Sequence, residues 1–170
     1  MYHVGDVNKA RAMPQNTFKI ASFSSINDVF LFDYSKHSSK LNPDGICRPQ
    51  AVLRAHTDEG FALSWHPMQQ GLLLSAAQDG QMCLWNLEKM PTNSSTTTTN
   101  TTNNGIECNT IIEPVEIYQS ERKLVDAIQW HPRYEQLNRR LFVRKNHFDF
   151  FSLLVIQLFL VQLLVQVLYS

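Results

Sequence analysis

The stretch HTDEGFALSWHPMQQGLLLSAAQDGQMCLWN, residues 56–86, decides the fold that this sequence predicts. Four of its residues can form one hydrogen-bonded chain: His56, Ser75, Asp79 and Trp85. The indole N–H can donate to the hydroxyl, the hydroxyl to the imidazole, and the imidazole to the carboxylate. Such a chain stabilises a sheet when every member is satisfied. The pattern predicts one repeated β-sheet unit, which offers a binding surface rather than a reaction centre.

The same residue types also permit a catalytic interpretation, with Ser75 as nucleophile, His56 as base and Asp79 as the orienting acid. Ser75, however, lies inside the apolar run LLLSAA, which predicts a buried strand. A catalytic serine needs an exposed hydroxyl, typically on a strained turn such as G-x-S-x-G. We therefore expect no catalytic residue, no enzyme activity and no cofactor.

Parts of this unit recur elsewhere in the chain. The tripeptide Trp-His-Pro at 65–67 recurs at 130–132, 65 positions later. A shift of 53 positions with one gap aligns the upstream segment KARAMPQNTFKIAS, and it places Ser22 on the serine and Phe32 on the tryptophan of the unit. Both offsets exceed the roughly 40–45 residues typical of four-stranded repeats, so each linker must hold an insertion.

The chain therefore reads as a degenerate unit, a well-formed unit and the start of a third, with insertions at 35–50 and 92–104. Short apolar or alternating runs predict an all-β, antiparallel fold with one sheet per repeat. The predicted strands lie near 8–13, 18–23, 29–34, 51–54, 61–66, 72–77, 82–87, 115–119 and 124–130. The predicted segments are a degenerate unit and linker at 1–50, the well-formed unit at 51–91, a Ser/Thr/Asn-rich loop of low complexity at 92–110, an incomplete third unit at 111–142 and an apolar tail at 143–170.

Five segments of the sequence have a more specific pattern. They are GDVNKARAMPQN at 5–16, DVFLFDYSKHSSK at 28–40, DG-x-C at 44–47, HTDEGFALSWHP at 56–67 and LLSAAQDGQMCLWNL at 73–87. In these segments the chain resembles the histone-binding WD40 repeat family, which includes the retinoblastoma-binding histone chaperones and the small subunit of chromatin assembly factor 1. The resemblance implies part of a seven-bladed β-propeller, about two blades plus the start of a third. It also implies a non-catalytic nuclear scaffold of chromatin assembly, deacetylase, remodelling and Polycomb-type complexes.

The resemblance also implies where partners bind. In that family an acidic top face of the propeller receives the basic amino-terminal arm of histone H3. By motif position the residues of this face are Asp6, Asn8, Glu59, Phe61 and Asp126, each at the head of a repeat. Asp6 and Asp126 stand where the family has glutamate, and Phe61 where it has tyrosine. A second histone site, on the side of the propeller, needs an N-terminal helix and a late-blade loop; we expect it to be missing here and histone H4 to be a partner of the whole protein.

Composition is consistent with a binding domain. Fifteen Lys and Arg residues balance fifteen Asp and Glu residues, so no overall field draws the chain to nucleic acid, and any attraction for a histone must come from a local acidic cluster. Cys47, Cys83 and Cys108 lack paired C-x-x-C spacing, which favours reduced thiols over a metal site. His66 and His131 precede prolines and are interpreted as turn residues rather than metal ligands.

The end of the chain breaks the pattern after Phe142. From 150 to 169 only one serine and three glutamines are polar, and no charged residue follows Asp149. As a helix this segment would span about 30 Å, the thickness of a bilayer core, and the basic residues before it favour a tail anchor. Two interpretations stay open: a read-through product of a longer gene, or a membrane-anchored propeller fragment with an unknown partner.

Overall fold

The computed structural model describes residues 2–38, 40, 43–89, 105–108, 110–120, 125, 127–130 and 141–144. Their regular structure is extended, apart from single turns of 3₁₀ helix at Tyr34–Lys36 and Leu87–Lys89. The strands are β1 Val7–Met13, β2 Asn16–Ser24, β3 Val29–Asp33, β4 Ala51–Leu53, β5 Gly60–Trp65, β6 Leu72–Ala77, β7 Gln81–Asn86, β8 Ile111–Ile112, β9 Glu116–Gln119, β10 Ala127–Trp130 and β11 Leu141–Arg144. The predicted all-β class is confirmed.

The strands form three sheets that follow one another along the chain. The first sheet has the order β1-β2-β3-β4-β8, the second has the order β5-β6-β7-β9, and the third is the pair β10-β11. Among these strands every pairing is antiparallel except that of β4 with β8, which is parallel. The predicted antiparallel organisation with one sheet per repeat is confirmed, with one parallel strand added at the edge of the first sheet.

Equivalent turns keep the first two sheets in the same register. Asn27 has a φ of 71° in the turn between β2 and β3, and Gly80 has a φ of 77° in the turn between β6 and β7. Glycine and asparagine adopt this left-handed conformation more readily than other residues. The two residues lie 53 positions apart, the same shift that relates the sequence repeats. The repeat is therefore encoded in its turns as well as in its strands.

Two apolar clusters fill the space between successive sheets. The first joins the first and second sheets and includes Phe23, Leu31, Leu53, Leu63, Leu73 and Trp85. The second joins the second sheet to β10 and includes Leu74, Met82, Ile128 and Trp130. The strands β1, β5 and β10, which begin the three sheets, lie side by side with β5 in the middle. The sheets therefore stack through their apolar faces as successive repeat units.

Gly60, at the start of β5, marks a close approach between the first two sheets. A Cβ at this position would lie 2.3 Å from Cε1 of Phe23 and 2.7 Å from the carbonyl oxygen of Ala76. Phe23 is fully buried in the first apolar cluster and has little room to move. Glycine at this head of the strand therefore lets the first sheet pack closely beside the second.

The strand predictions agree closely with the structure. The first eight predicted strands match observed strands to within two residues at each end. The ninth, 124–130, was predicted too long, because β10 begins at Ala127 and residue 125 is not in a strand. Two observed strands were not predicted: β8, which is only two residues long, and β11.

The predicted segments differ from the sheets in two places. The predicted unit 51–91 begins with β4, but β4 pairs with β3 in the first sheet, and β9 completes the second sheet from beyond the Thr-rich insertion. Sequence repeat and sheet are thus out of step by one strand. In addition, β11 runs across the predicted boundary between 111–142 and 143–170, because its pairing with β10 continues to Arg144.

The predicted apolar helix at 150–169 lies outside the described residues. Within the part of the chain that the structure describes, no helix is long and apolar enough to cross a membrane. Most of the Thr-rich loop predicted at 92–110 also lies outside the described residues.

Candidate functional site

The polar chain predicted from residues 56–86 lies between the second sheet and the loop that leads into it. Nε1–H of Trp85 donates to Oγ of Ser75 at 2.8 Å. That oxygen lies 2.7 Å from Nε2 of His56, whose Nδ1 lies 3.3 Å from Oδ2 of Asp79. The structure therefore brings all four residues together, in the order expected from the sequence.

Asp79 also organises the backbone around this chain. Its Oδ2 accepts from the backbone N–H of Thr57 at 2.9 Å, and its Oδ1 accepts from that of Gln81 at 2.8 Å. A carboxylate that accepts several N–H groups is a strong local tie. Asp79 thus fixes the loop before β5 to the turn between β6 and β7.

The protonation of His56 follows from its surroundings. Burial lowers the pKa of His56 even though the neighbouring Asp79 carboxylate acts in the opposite direction. The imidazole is therefore neutral at pH 7, with its proton on Nδ1, since the carboxylate can only accept. Nε2 then accepts from the hydroxyl of Ser75, whose oxygen accepts from Trp85. Each N–H or O–H donor that links these four side chains therefore has an acceptor.

This arrangement does not resemble a working catalytic triad. Ser75 is fully buried on β6, so its hydroxyl cannot reach a substrate. The hydroxyl oxygen also accepts from Trp85, which lowers its electron density rather than activating it. The geometry supports a structural role for His56, Ser75 and Asp79.

The first sheet contains a shorter version of this hydrogen-bonded network. Nε2 of His3 lies 2.8 Å from Oγ of Ser22, as His56 does from Ser75. Phe32 replaces the tryptophan, and Ile26 replaces the aspartate, 53 positions before their counterparts. Nδ1 of His3 lies 3.4 Å from the carbonyl oxygen of Gly5 instead. Sequence reasoning missed His3, although the shift that found Ser22 and Phe32 also places it on the histidine of the unit.

We call β1, β5 and β10, the adjoining strands that begin the three sheets, the inner strands, and their N-terminal ends the heads. The expected partner-binding residues lie at or next to these heads. Nδ2–H of Asn8, on β1, donates to Oε2 of Glu59, just before β5, at 3.1 Å. Phe61, the second residue of β5, is 38 % exposed. Asp6 is exposed, and its backbone N–H donates to Oγ of Ser25. Asp126 lies outside the described residues, one position before β10 in the sequence.

Gln78 is a further member of this group that sequence reasoning missed. Its Nε2–H donates to Oε1 of Glu59 at 3.4 Å, and its backbone N–H donates to the carbonyl oxygen of Glu59 at 3.0 Å. Glu59 is therefore held on one side by Asn8 of the first sheet and on the other by the β6–β7 turn. No sequence pattern predicted this role of Gln78, because a glutamine in a polar turn is not distinctive.

The tryptophans of the two Trp-His-Pro tripeptides join β5 to β1 and β10 to β5. Nε1–H of Trp65 donates to the carbonyl oxygen of Arg11 on β1 at 2.8 Å. Nε1–H of Trp130 donates to the carbonyl oxygen of Ser64 on β5 at 3.1 Å. Trp65 and Trp130 thus make equivalent contacts between successive inner strands. These contacts fix how the N-terminal ends of the inner strands align.

The remaining candidate ligands have ordinary structural roles. Nδ1 of His66 accepts from the backbone N–H groups of Met68 and Gln69 at 3.1 and 2.8 Å, which makes it a turn residue as expected. His131 lies outside the described residues. Burial raises the pKa of the Cys83 thiol to about 12. Among the residues that the structure describes, no group of three or more His, Cys, Asp and Glu side chains could hold a metal ion.

Comparison with known proteins identifies the fold. No protein family model matches the chain. A chain of a humanized mutant of the Chaetomium thermophilum Polycomb Repressive Complex 2, bound to an inhibitor, is similar with a TM-score of 0.61 and 20 % identity, over 88 % of this chain and 28 % of that one. A chain in a crystal structure of the Chaetomium thermophilum complex gives 0.60 and 18 %, over 88 % and 27 %. The Swd1 β-propeller domain of Myceliophteria thermophila gives 0.50 and 18 %, over 76 % and 30 %.

This chain spans less than a third of the length of each of these proteins. At this level of identity the likeness concerns the fold alone. It agrees with the arrangement described above, in which successive sheets stack and their first strands β1, β5 and β10 adjoin. The chain therefore adopts the fold of part of a WD40-type β-propeller, with two blades and the start of a third.

Proposed function

We propose that this chain is part of a non-catalytic scaffold in nuclear chromatin complexes, and that its inner-strand heads bind the basic arm of histone H3. Two observations outside the site support this proposal. The segments quoted from the sequence resemble histone-binding WD40 proteins. Two of the similar solved structures are of Polycomb Repressive Complex 2, a multi-subunit assembly by its name.

The contact between Asn8 and Glu59 carries the proposal. It joins the heads of β1 and β5, the place where the family resemblance puts the histone arm. Asn8 and Gln78 each donate to a different oxygen of the Glu59 carboxylate and so orient it before any ligand arrives. An oriented carboxylate loses less freedom on binding and can accept charge-assisted hydrogen bonds from Lys or Arg.

Two further features suit a basic ligand. Phe61 exposes part of its ring near the start of β5, one residue beyond the glycine that follows Glu59, and a ring face attracts a cation. Asp6 and Asp126 each precede an inner strand by one residue, as Glu59 does. Acidic side chains at three successive strand heads would form a local negative field in a chain without net charge.

Binding of a labelled histone H3 amino-terminal peptide tests the proposal. The substitution Glu59→Lys should weaken binding about 10- to 100-fold, because it removes a charge-assisted contact and adds repulsion. Glu88→Lys is the matched control, since it makes the same charge change at an exposed position outside this group. Fluorescence anisotropy at fixed salt measures both. Equal affinity of Glu59→Lys and the unsubstituted chain would show that the arm does not bind here.

A further inference from the structure

The segment 54–59 leads from β4 of the first sheet to β5 of the second, and its last residue is the glutamate of the proposed histone site. The turn between β2 and β3 holds this segment at two points. Arg54 donates through Nε and Nη2 to the two carboxylate oxygens of Asp28, at 3.1 and 2.9 Å. Nδ2–H of Asn27 donates to the carbonyl oxygen of Thr57 at 3.1 Å. Two neighbouring residues of one turn therefore fix where the segment runs.

Thr57 is the residue at which both large sheets hold the segment. Its carbonyl oxygen accepts from Asn27 of the first sheet, and its backbone N–H donates to Oδ2 of Asp79 of the second at 2.9 Å. Asn27 and Asp79 lie in equivalent turns of the two sheets, since Asn27 and Gly80 are 53 positions apart. The segment is therefore positioned with respect to both sheets, and loss of either contact would leave it held by one sheet at this point.

Glu59 lies two residues beyond Thr57, so its side-chain contacts depend on where the segment places its backbone. Its Oε2 accepts from Asn8 at 3.1 Å and its Oε1 from Gln78 at 3.4 Å. The second of these distances is long for a hydrogen bond, so a small displacement of the backbone would break it. Asn27 is thus connected to the Glu59 carboxylate through two residues of backbone.

The conformation of Asn27 separates this contact from the needs of the turn. Among the residues that the structure describes, Asn27 is the only one other than glycine with a positive φ. Gly80, at the equivalent position of the second sheet, forms its turn without any side chain. Glycine adopts this conformation with less strain than asparagine. The turn itself therefore does not require the amide of Asn27, which is used for the contact with Thr57.

We propose that Asn27 is a positioning residue for the histone site: it holds the segment 54–59 so that the Glu59 carboxylate stands between Asn8 and Gln78 when a basic side chain arrives. This inference rests on the function proposed above, and it adds a residue that acts on the ligand only through Glu59. A group that is oriented beforehand loses less freedom on binding. Release of the segment should therefore weaken binding although the charge of the site is unchanged.

The substitution Asn27→Gly tests this role, because glycine keeps the turn and removes only the amide. Asn16→Gly is the matched control: it is the same substitution at the other end of β2, where Oδ1 of Asn16 accepts from the backbone N–H of Phe18. Both substitutions leave the net charge unchanged. Urea unfolding of the complete 170-residue chain checks that each variant is folded.

The first measurement needs no ligand. It is the hydrogen exchange of the backbone amides of Thr57 and Gln78, which donate to Asp79 and to the carbonyl oxygen of Glu59. Asn27→Gly should raise both exchange rates about 2- to 10-fold, the range that corresponds to the net strength of one hydrogen bond. Asn16→Gly should leave both rates unchanged. Unchanged rates in Asn27→Gly would overturn the proposal.

The second measurement is the anisotropy of the labelled histone H3 peptide. Asn27→Gly should weaken binding about 2- to 10-fold, and Asn16→Gly should not. Combined with Glu59→Ala, Asn27→Gly should have no further effect, because the carboxylate that it positions is gone. Additive effects would mean that Asn27 contacts the arm itself, and they would overturn the proposal, as would unchanged affinity of Asn27→Gly. Unchanged affinity of Glu59→Ala would instead refute the histone site and the positioning role together, whereas the other outcomes refute the positioning role alone.

Discussion

The first and second sheets use different residues at four equivalent positions, 53 residues apart. The second sheet has His56, Ser75, Asp79 and Trp85, and the first has His3, Ser22, Ile26 and Phe32. Only the bond between histidine and serine is common to both, at 2.7 and 2.8 Å. The indole donor and the carboxylate acceptor belong to the second sheet alone. The two sheets nevertheless share strand order and turn position for their first three strands.

Apolar contacts stand in the first sheet where hydrogen bonds stand in the second. Phe30 and Phe32 form a buried cluster with Cys47 and Val52 on one side of the sheet, and the ring of His3 meets Phe30 edge-on at 5.1 Å. The β2–β3 turn is held by backbone bonds and by the side chains of Ser24 and Asn27 instead of a carboxylate. The blade therefore needs its apolar faces and its turn, and the full polar network is an additional source of stability.

Removing the shared serine should reveal the largest difference in stability between the two sheets. Ser75→Ala leaves the buried indole N–H of Trp85 and Nε2 of His56 without their partner, and each such group costs about 1–3 kcal/mol. Ser22→Ala leaves only Nε2 of His3, which is half-buried. Urea unfolding should therefore show a loss of about 3 kcal/mol for the first variant and about 1 kcal/mol or less for the second. Equal losses would mean that the additional hydrogen bonds of the second sheet contribute nothing.

The sequence was sufficient to predict most of the fold because the repeat is local. Short apolar or alternating runs placed β1 to β7, and the 53-residue shift related the turns of the first two sheets. β8 escaped prediction because its pairing with β4 joins segments almost sixty residues apart, and two residues carry no periodic pattern. The contact between Asn8 and Glu59 escaped for the same reason. Motif position placed each at a strand head, but only the stacking of two sheets brings them together.

The tryptophan contact between inner strands gives a second, smaller test. Trp65→Phe keeps the ring in the core but leaves the carbonyl oxygen of Arg11 without its donor, which should cost about 1–2 kcal/mol. Trp130→Phe removes the equivalent bond to Ser64 and should cost a similar amount. Unfolding by urea measures both. If Trp65→Phe also weakened histone peptide binding while Trp130→Phe did not, the bond would be shown to align β1 with β5 at the proposed site; a tighter complex in Trp65→Phe would contradict that role.

Protonation of His56 should have the smallest effect on stability, and it tests the second sheet without a substitution. Burial lowers the pKa of His56 below its ordinary value of 6.5, so the unfolded chain takes up this proton at a higher pH than the folded chain. His56 therefore leaves stability unchanged well above pH 6.5, and the free energy of unfolding falls as the pH drops below that value. Between pH 7 and pH 6 the loss from this group stays below about 1 kcal/mol, because one pKa unit corresponds to about 1.4 kcal/mol.

The pKa of His66 is also lowered by burial, so its contribution has the same sign and must be separated. Urea unfolding at several pH values, for the unsubstituted chain, His56→Gln and His66→Gln, makes that separation. His56→Gln should flatten the fall in stability below pH 6.5, and His66→Gln should flatten it less, since His66 is the less buried of the two. A slope that His56→Gln leaves unchanged would mean that the imidazole is not held neutral between Ser75 and Asp79, and that Nε2 of His56 donates to Oγ of Ser75 instead of accepting from it.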